Sequence, residues 1–198
     1  STTAEIRNML DLFLMDQGIE AEFYESGYNQ YYQDAMFPND ELIHFAPDLI
    51  YIHTSNRNIK AYPQLSDTEE EVAVKLQSTV EEYIAVWEQL TQDYHCPIIQ
   101  NNMELPDYRL MGNRDASDYR GRIRFISNIN EQFYLYAQSH HNFYINDIHY
   151  LSASYGLERW TDPFSWYMYK YALNIQAIPY LAYNLANIIK AIYGRNKK

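Results

Sequence analysis

Short strand-like runs, the alternating 19–24 and the more apolar 48–53, 96–100 and 143–146, are separated by longer segments of helical periodicity. Strands separated by helices build a parallel sheet covered by those helices, and residues 48–53 read as a strand buried on both faces. The expectation is an α/β chain: three layers, α/β/α, with a mainly parallel, flavodoxin-like sheet. The chain opens with a helix, whereas in such folds a central first strand feeds the first helix through a ligand-binding turn. The first strand is therefore read as truncated, and Ser1-Thr2-Thr3 as that turn.

Helical spacing marks the remaining elements. Ile6, Met9, Leu10, Phe13 and Leu14 recur along residues 3–17, with Thr2 and Glu5 as a capping box and Gly18 as the stop. A helix is expected near 29–36, followed by a single turn carrying Leu42, Ile43 and Phe45. The longest helix runs to about Tyr94 from a start marked by Ser66, Asp67 and the acids Glu69, Glu70 and Glu71. Another spans about 119–139, a short one ends at Gly156, and the last covers about 178–193. Between them lies an irregular loop, 101–118, of a length that is usually functional or mobile. Residues 1–193 read as one domain and 194–198 as a linker.

Composition removes several function classes. A net charge of −11 and a pI near 4.9 repel phosphate backbones and anionic lipid heads, so neither nucleic acid nor membrane is an expected partner despite 21 tyrosines. The tyrosines read as packing at a core edge or a subunit interface. The single cysteine, Cys96, excludes an internal disulfide framework. No apolar run reaches the ~18 residues of a membrane span, and a cytoplasmic protein is the default. No histidine has a partner at metal-ligand spacing, so neither metal nor cofactor is expected.

The polar segments after the apolar runs are the candidate site, since open α/β sheets bind ligands at strand carboxyl ends. They are Ser1-Thr2-Thr3, Ser26-Gly27-Tyr28-Asn29, Thr54-Ser55-Asn56-Arg57, Gln100-Asn101-Asn102 and, late in the chain, Trp160-Thr161-Asp162-Pro163. Their order of serine, glycine, asparagine and aspartate resembles the SGNH (GDSL-type) hydrolases. The resemblance implies Ser1 as nucleophile, the Gly27 N–H and the Asn56 amide as oxyanion donors, and Asp162 as orienter of a base, while Gly27, Arg57 and Asn101, after their apolar runs, are the candidate substrate contacts. The chain departs from that pattern at Ser165, where the family has its histidine, at Thr54 in place of glycine and at Arg57 in place of aspartate. His53, His140, His141 and His149 remain as substitute bases.

A narrower resemblance rests on residues 23–32, Pro47-Asp48-Leu49-Ile50, residues 98–102, Gly156 through Pro163, and Gly194-Arg195-Asn196-Lys197-Lys198. These stretches look like the N-terminal region of FkbH-like proteins, haloacid-dehalogenase (HAD) superfamily subfamily IIIC. In that family an SGNH-like domain precedes a phosphatase domain with an Asp-x-Asp-x-Thr motif, which this sequence does not contain. The resemblance implies a role beside acyl or phosphoryl transfer. Some family members load a glyceryl unit onto an acyl carrier protein, and others look associated with cell-surface polysaccharide synthesis.

The leading expectation is an SGNH-like domain that binds a small-molecule substrate or an acyl carrier arm, hydrolyses weakly or not at all, and partners a C-terminal phosphatase-like domain of the same polypeptide. The alternatives are an active esterase or acyltransferase using Ser1, and a structural domain whose tyrosine-rich helices pack on a neighbouring domain or in a homodimer. Taken singly, each site residue also has a plain structural role. Ser1 and Thr2 can cap a helix, Gly27 can shape a turn, Asn56 can cap a loop, and Asp162 with Pro163 can open a helix.

Overall fold

Three strands, Ile50–Ile52 (β1), Ile98–Asn101 (β2) and Phe143–Asn146 (β3), pair in parallel in the order β1-β2-β3. The structure is a computed structural model that describes residues 2–194. It divides into two units, one of residues 29–149 and one of residues 1–28 with 150–198. The α/β class with a parallel sheet is as the strand and helix alternation predicts.

In the 29–149 unit the crossovers are Glu69–Tyr94 (α4) and Arg122–Ser139 (α5), which pack against each other. Trp87 of α4 is fully buried, 4.8 Å from the Phe133 ring and 4.5 Å from the Phe143 ring, so one indole joins both crossovers to β3. The start of α4 falls on Thr68 rather than on Ser66 or Asp67. Thr68 and Glu71 satisfy each other's backbone N–H groups in a reciprocal capping box, while Asp67 is occupied with Lys75 and the Gln64 N–H. Helix α5 likewise begins later than expected, because Asp115 accepts the Ile123 N–H at 2.8 Å and Gly121 sits against Asp115. A Cβ at Gly121 would lie 2.0 Å from the Asp115 carbonyl oxygen. Two short helices, Tyr31–Met36 (α2) and Asp40–Phe45 (α3), precede β1, and Asn39 caps the second through the Leu42 N–H at 3.1 Å.

The other unit is built on Thr2–Asp16 (α1) and Ile178–Ile192 (α9), which pack along their lengths. Ile6, Leu10 and Leu14 on one helix and Leu181, Leu185 and Ile189 on the other are buried, and Phe13 meets Tyr183 edge to face at 5.4 Å. Between these helices in sequence come Ile148–Tyr155 (α6), Leu157–Trp160 (α7) and Pro163–Tyr169 (α8). Thr2 Oγ1 accepts the Ala172 N–H at 2.9 Å, tying the start of α1 to the segment after α8.

The alternating run 19–24 is not a strand. Gly18 ends α1 at φ 71°, and the Ile19 N–H is already committed to the Leu14 carbonyl at 2.9 Å. The chain then continues without secondary structure through Gly27. Alternation describes which side chains are half-buried, but only a partner edge makes a strand, and three strands rather than four are present among the described residues.

Candidate ligand site at the strand ends

Register decides which side chains meet at the carboxyl end of the sheet. Tyr51 pairs with Ile99, so His53 and Asn101, each two residues further on, fall on the same face of neighbouring strands. Asn101 in turn pairs with Asn146 of β3. The three strands therefore present Tyr51, His53, Asn101 and Asn146 in one row. Gln100 and Thr54 point the other way, toward α4, where Gln100 accepts from Trp87 Nε1 at 3.0 Å and donates to Thr54 Oγ1 at 2.7 Å and to the Asn101 carbonyl at 2.8 Å. That inner set is fully buried and mutually satisfied.

Asn101 is the hub of the outer row. Its Oδ1 accepts from the Tyr51 hydroxyl at 2.9 Å and from Asn146 Nδ2 at 2.8 Å, while its Nδ2 donates to the Thr54 carbonyl at 3.1 Å and lies 2.9 Å from His53 Nδ1. The Tyr51 hydroxyl is also 3.0 Å from that nitrogen. Burial drives both phenol and imidazole toward their neutral forms. It raises the Tyr51 pKa well above the usual tyrosine value and lowers that of His53 to about 4. His53 Nε2 is covered and has no hydrogen-bond partner among the described residues.

The first turn of the loop after β2 is held by side-chain hydrogen bonds. Asn130 of α5 brackets Met103 from both sides, accepting its N–H at 2.7 Å and donating to its carbonyl at 2.8 Å. Asn102 donates to Tyr134 and to Asp147, each at 2.7 Å, and accepts the His149 N–H at 3.0 Å. Glu104, 1 % exposed, accepts the Asn56 N–H at 3.0 Å, and the Asn56 amide donates to the Glu104 carbonyl at 3.3 Å. Burial raises the Glu104 pKa to about 7, against the lowering effect of the backbone N–H groups and of Arg57. The segment 54–58 is itself a capped 3-10 turn, with Ser55 and Asn58 exchanging hydrogen bonds and the Tyr62 hydroxyl on the Asn56 carbonyl at 2.8 Å.

Of the residues expected at the site, Asn56, Arg57 and Asn101 lie together in the 29–149 unit, at the ends of β1 and β2. Gly27 and Asp162 lie in the other unit, where Gly27 is exposed and Asp162 caps α8 through the Phe164 and Ser165 N–H groups, each at 3.2 Å. The Ser165 hydroxyl also bonds the Asp162 carboxylate and is the main cause of its lowered pKa. Ser1 lies outside the described residues. Sequence reasoning missed Glu104 and Tyr51. The signal for Tyr51 was its spacing of two from His53, and for Glu104 its place between Met103 and Leu105 in a run with apolar neighbours.

Among the described residues, neither His53 nor His140 holds a serine hydroxyl as a base would. His53 meets Tyr51 and Asn101, and His149 Nδ1 sits 3.2 Å from the Met103 carbonyl. His140 Nδ1 is 3.0 Å from Ser139 Oγ but also 2.8 Å from the Tyr136 carbonyl, which requires that nitrogen to carry its proton. Among the described residues no group of three histidine, cysteine or acidic side chains is placed to hold a metal ion, and no helix is long and apolar enough to cross a membrane.

A parallel sheet whose carboxyl edge gathers fixed amides, a phenol, an imidazole and a buried carboxyl defines an α/β protein with polar groups where such sheets take their ligands. The chain belongs to the FkbH N-terminal domain family, whose model matches residues 9–190. It is similar to a crystal structure of the N-terminal part of the protein BF1531 from Bacteroides fragilis, described as containing a phosphatase domain and complexed with Mg. That likeness has a TM-score of 0.81 at 19 % identity and covers 98 % of this chain and 50 % of the other. The chain thus spans about half the length of the solved structure it matches. No curated protein matches it in sequence.

Proposed function

We propose that this chain is the ligand-holding domain of a cytoplasmic FkbH-type, HAD-associated protein. It holds a small polar substrate or the arm of an acyl carrier protein at the carboxyl ends of β1 to β3, with little or no hydrolysis of its own. A C-terminal phosphatase-like domain on the same polypeptide would act beside it, a reading supported by the phosphatase domain of the structurally similar Bacteroides protein. The observation that carries the reading is the row Tyr51, His53, Asn101 and Asn146, in which every amide is fixed by a partner and one imidazole nitrogen is left over. Weak hydrolysis is supported by His53 and His140, whose hydrogen bonds are not those of a base on a serine. The SGNH resemblance enters as ancestry of the strand-end site, with Asn56, Arg57 and Asn101 on its rim. Asn101 acts there as a positioning residue, since its hydrogen bonds to Tyr51, His53, Thr54 and Asn146 stay within the protein.

Calorimetric titration of the chain with a pantetheine-charged acyl carrier protein, and with free pantetheine, tests this. Binding that weakens about tenfold in Asn101→Ala, with the fold kept by circular dichroism, is the expected result. Equal affinity for parent and variant would remove the site from the strand ends. An aryl ester assay covers the esterase alternative, in which a burst abolished by Ser1→Ala would restore hydrolysis as the function.

The reading as a structural or dimerisation domain has one observation of its own. Phe164, Tyr167, Met168 and Tyr169 on α8 are all more than half exposed. Equilibrium sedimentation decides it: a monomer whose α8 aromatics are quenched by acrylamide like free tyrosine counts against it.

A further inference from the structure

We infer that His53 is a fixed hydrogen-bond donor, presenting Nε2–H to an uncharged carbonyl oxygen of the ligand, and that it is not a base. This assignment rests on the proposed ligand-holding role and names the atom that does the holding.

One oxygen near the ring has a role that cannot be reassigned. The backbone carbonyl of Thr54 accepts from one end of the Asn101 amide at 3.1 Å, so that end must be the NH2 group. Exchanging the two ends of the amide would set oxygen against oxygen there. It would also place NH2 against Asn146 Nδ2, which now donates to Asn101 Oδ1 at 2.8 Å. The same NH2 group lies 2.9 Å from His53 Nδ1, and an NH2 group can only donate. Nδ1 is therefore an acceptor and carries no proton. The Tyr51 hydroxyl, 3.0 Å from Nδ1 and 2.9 Å from Asn101 Oδ1, has one proton for two acceptors, so the assignment of Nδ1 rests on the Asn101 NH2 group and not on the hydroxyl.

A neutral imidazole without a proton on Nδ1 has it on Nε2. That N–H is covered and unpartnered among the described residues, an unfavourable placement unless an acceptor arrives. The groups bonded to the ring, Tyr51 and Asn101, are uncharged, and its lowered pKa has burial as its one cause, with no neighbouring charge. The ring's own partners offer a carboxylate or phosphate no cation in exchange for its water, whereas a carbonyl oxygen needs only the donor. The ligand atom is thus the carbonyl oxygen of an amide, ester or thioester.

Nitrogen-15 spectroscopy of the histidine rings in the intact chain tests both halves. The expected spectrum at pH 7 places the His53 proton on Nε2, with no protonation until well below pH 6. Addition of N-methylacetamide should move the Nε2–H resonance, while acetate and inorganic phosphate leave it in place. A proton on Nδ1, or a ring that is charged at pH 7, overturns the donor assignment. A response to acetate or phosphate and not to N-methylacetamide, or to none of the three, overturns the carbonyl assignment. His53→Gln keeps an N–H near the Nε2 position and should respond to N-methylacetamide within about threefold of the parent, whereas His53→Asn should lose about tenfold. These readouts need no carrier protein, so the donor assignment can fail while carrier binding stands, and the reverse.

Discussion

The two units solve the same problem of burial with opposite chemistry. Helices α1 and α9 meet through Ile6, Leu10, Leu14, Leu181, Leu185 and Ile189, a contact that is almost wholly aliphatic. The strand ends of the other unit bury Thr54, Gln100, Asn101, Asn102, Glu104 and Asn146, each at 1 % exposure or less. Aliphatic contact is tolerant of small shifts and indifferent to pH. A network of amides is neither, because each lost partner leaves a desolvated group behind. Such a network is retained where geometry matters, which is why the site is sought there and not between α1 and α9.

The largest effect should come from the aliphatic side. Leu181→Ala removes a fully buried side chain from α9 and should cost about 3–4 kcal/mol in urea unfolding, by the same amount at pH 5 and pH 8. A cost that changes with pH would break the comparison.

The next effect sharpens it through titration. The Glu104 carboxyl is raised from 4.5 to about 7 in the folded chain, so between those values the folded state holds a proton the unfolded state has released. Stability supplied by this group is complete below about pH 4.5 and is lost as pH climbs to 7, by up to about 3 kcal/mol. His53, lowered from 6.5 to about 4, does the reverse: the unfolded state binds the extra proton, and stability rises with pH over that range by a comparable amount. The two slopes oppose each other between about pH 4.5 and 6.5. Glu104→Gln should therefore unmask a rise in stability with pH, and His53→Gln a fall, both read from urea midpoints across that interval. Identical slopes for parent and both variants would contradict the assigned environments.

Asn130→Ala comes third. It strips both backbone groups of Met103 of their partner and should cost about 2 kcal/mol. Proteolysis should then shift toward the 103–118 loop. The smallest effect belongs to Asp162→Ala, which removes the cap of the short helix α8 and should shorten that helix with ligand binding at the strand ends unchanged. A full loss of binding in that variant would instead support Asp162 as a site residue.

Much of the fold could be read from the chain because its periods are unambiguous: β3 falls on the expected residues, and α9 ends within one residue of the expected stop. The run 19–24 misled because alternation cannot reveal whether an edge is available to pair with it. Helix starts slipped by a few residues where the expected cap was engaged elsewhere, as Asp67 is with Gln64 and Lys75 while Thr68 caps α4. The candidate site was legible as a class, polar residues after strands, and Asn56 and Asn101 were found that way. What the sequence could not convey was allegiance: which amide spends its donors inside the protein and which nitrogen is left over. That depends on a register of Ile99 against Tyr51 and on a carbonyl at Thr54. His53 could be grouped with three other histidines as a base, but its proton is placed by Asn101, a partner 48 residues away.

The indole of Trp87 gives the molecule an internal optical gauge. Its N–H ends on Gln100, whose amide also grips Thr54 and the backbone of Asn101, so two bonds separate the ring from the row that would close on a ligand. Any tightening of that row should alter the field along the ring and therefore the colour of its emission. Occupancy could then be followed by light alone, with Trp160 and Trp166 replaced by phenylalanine to leave a single source.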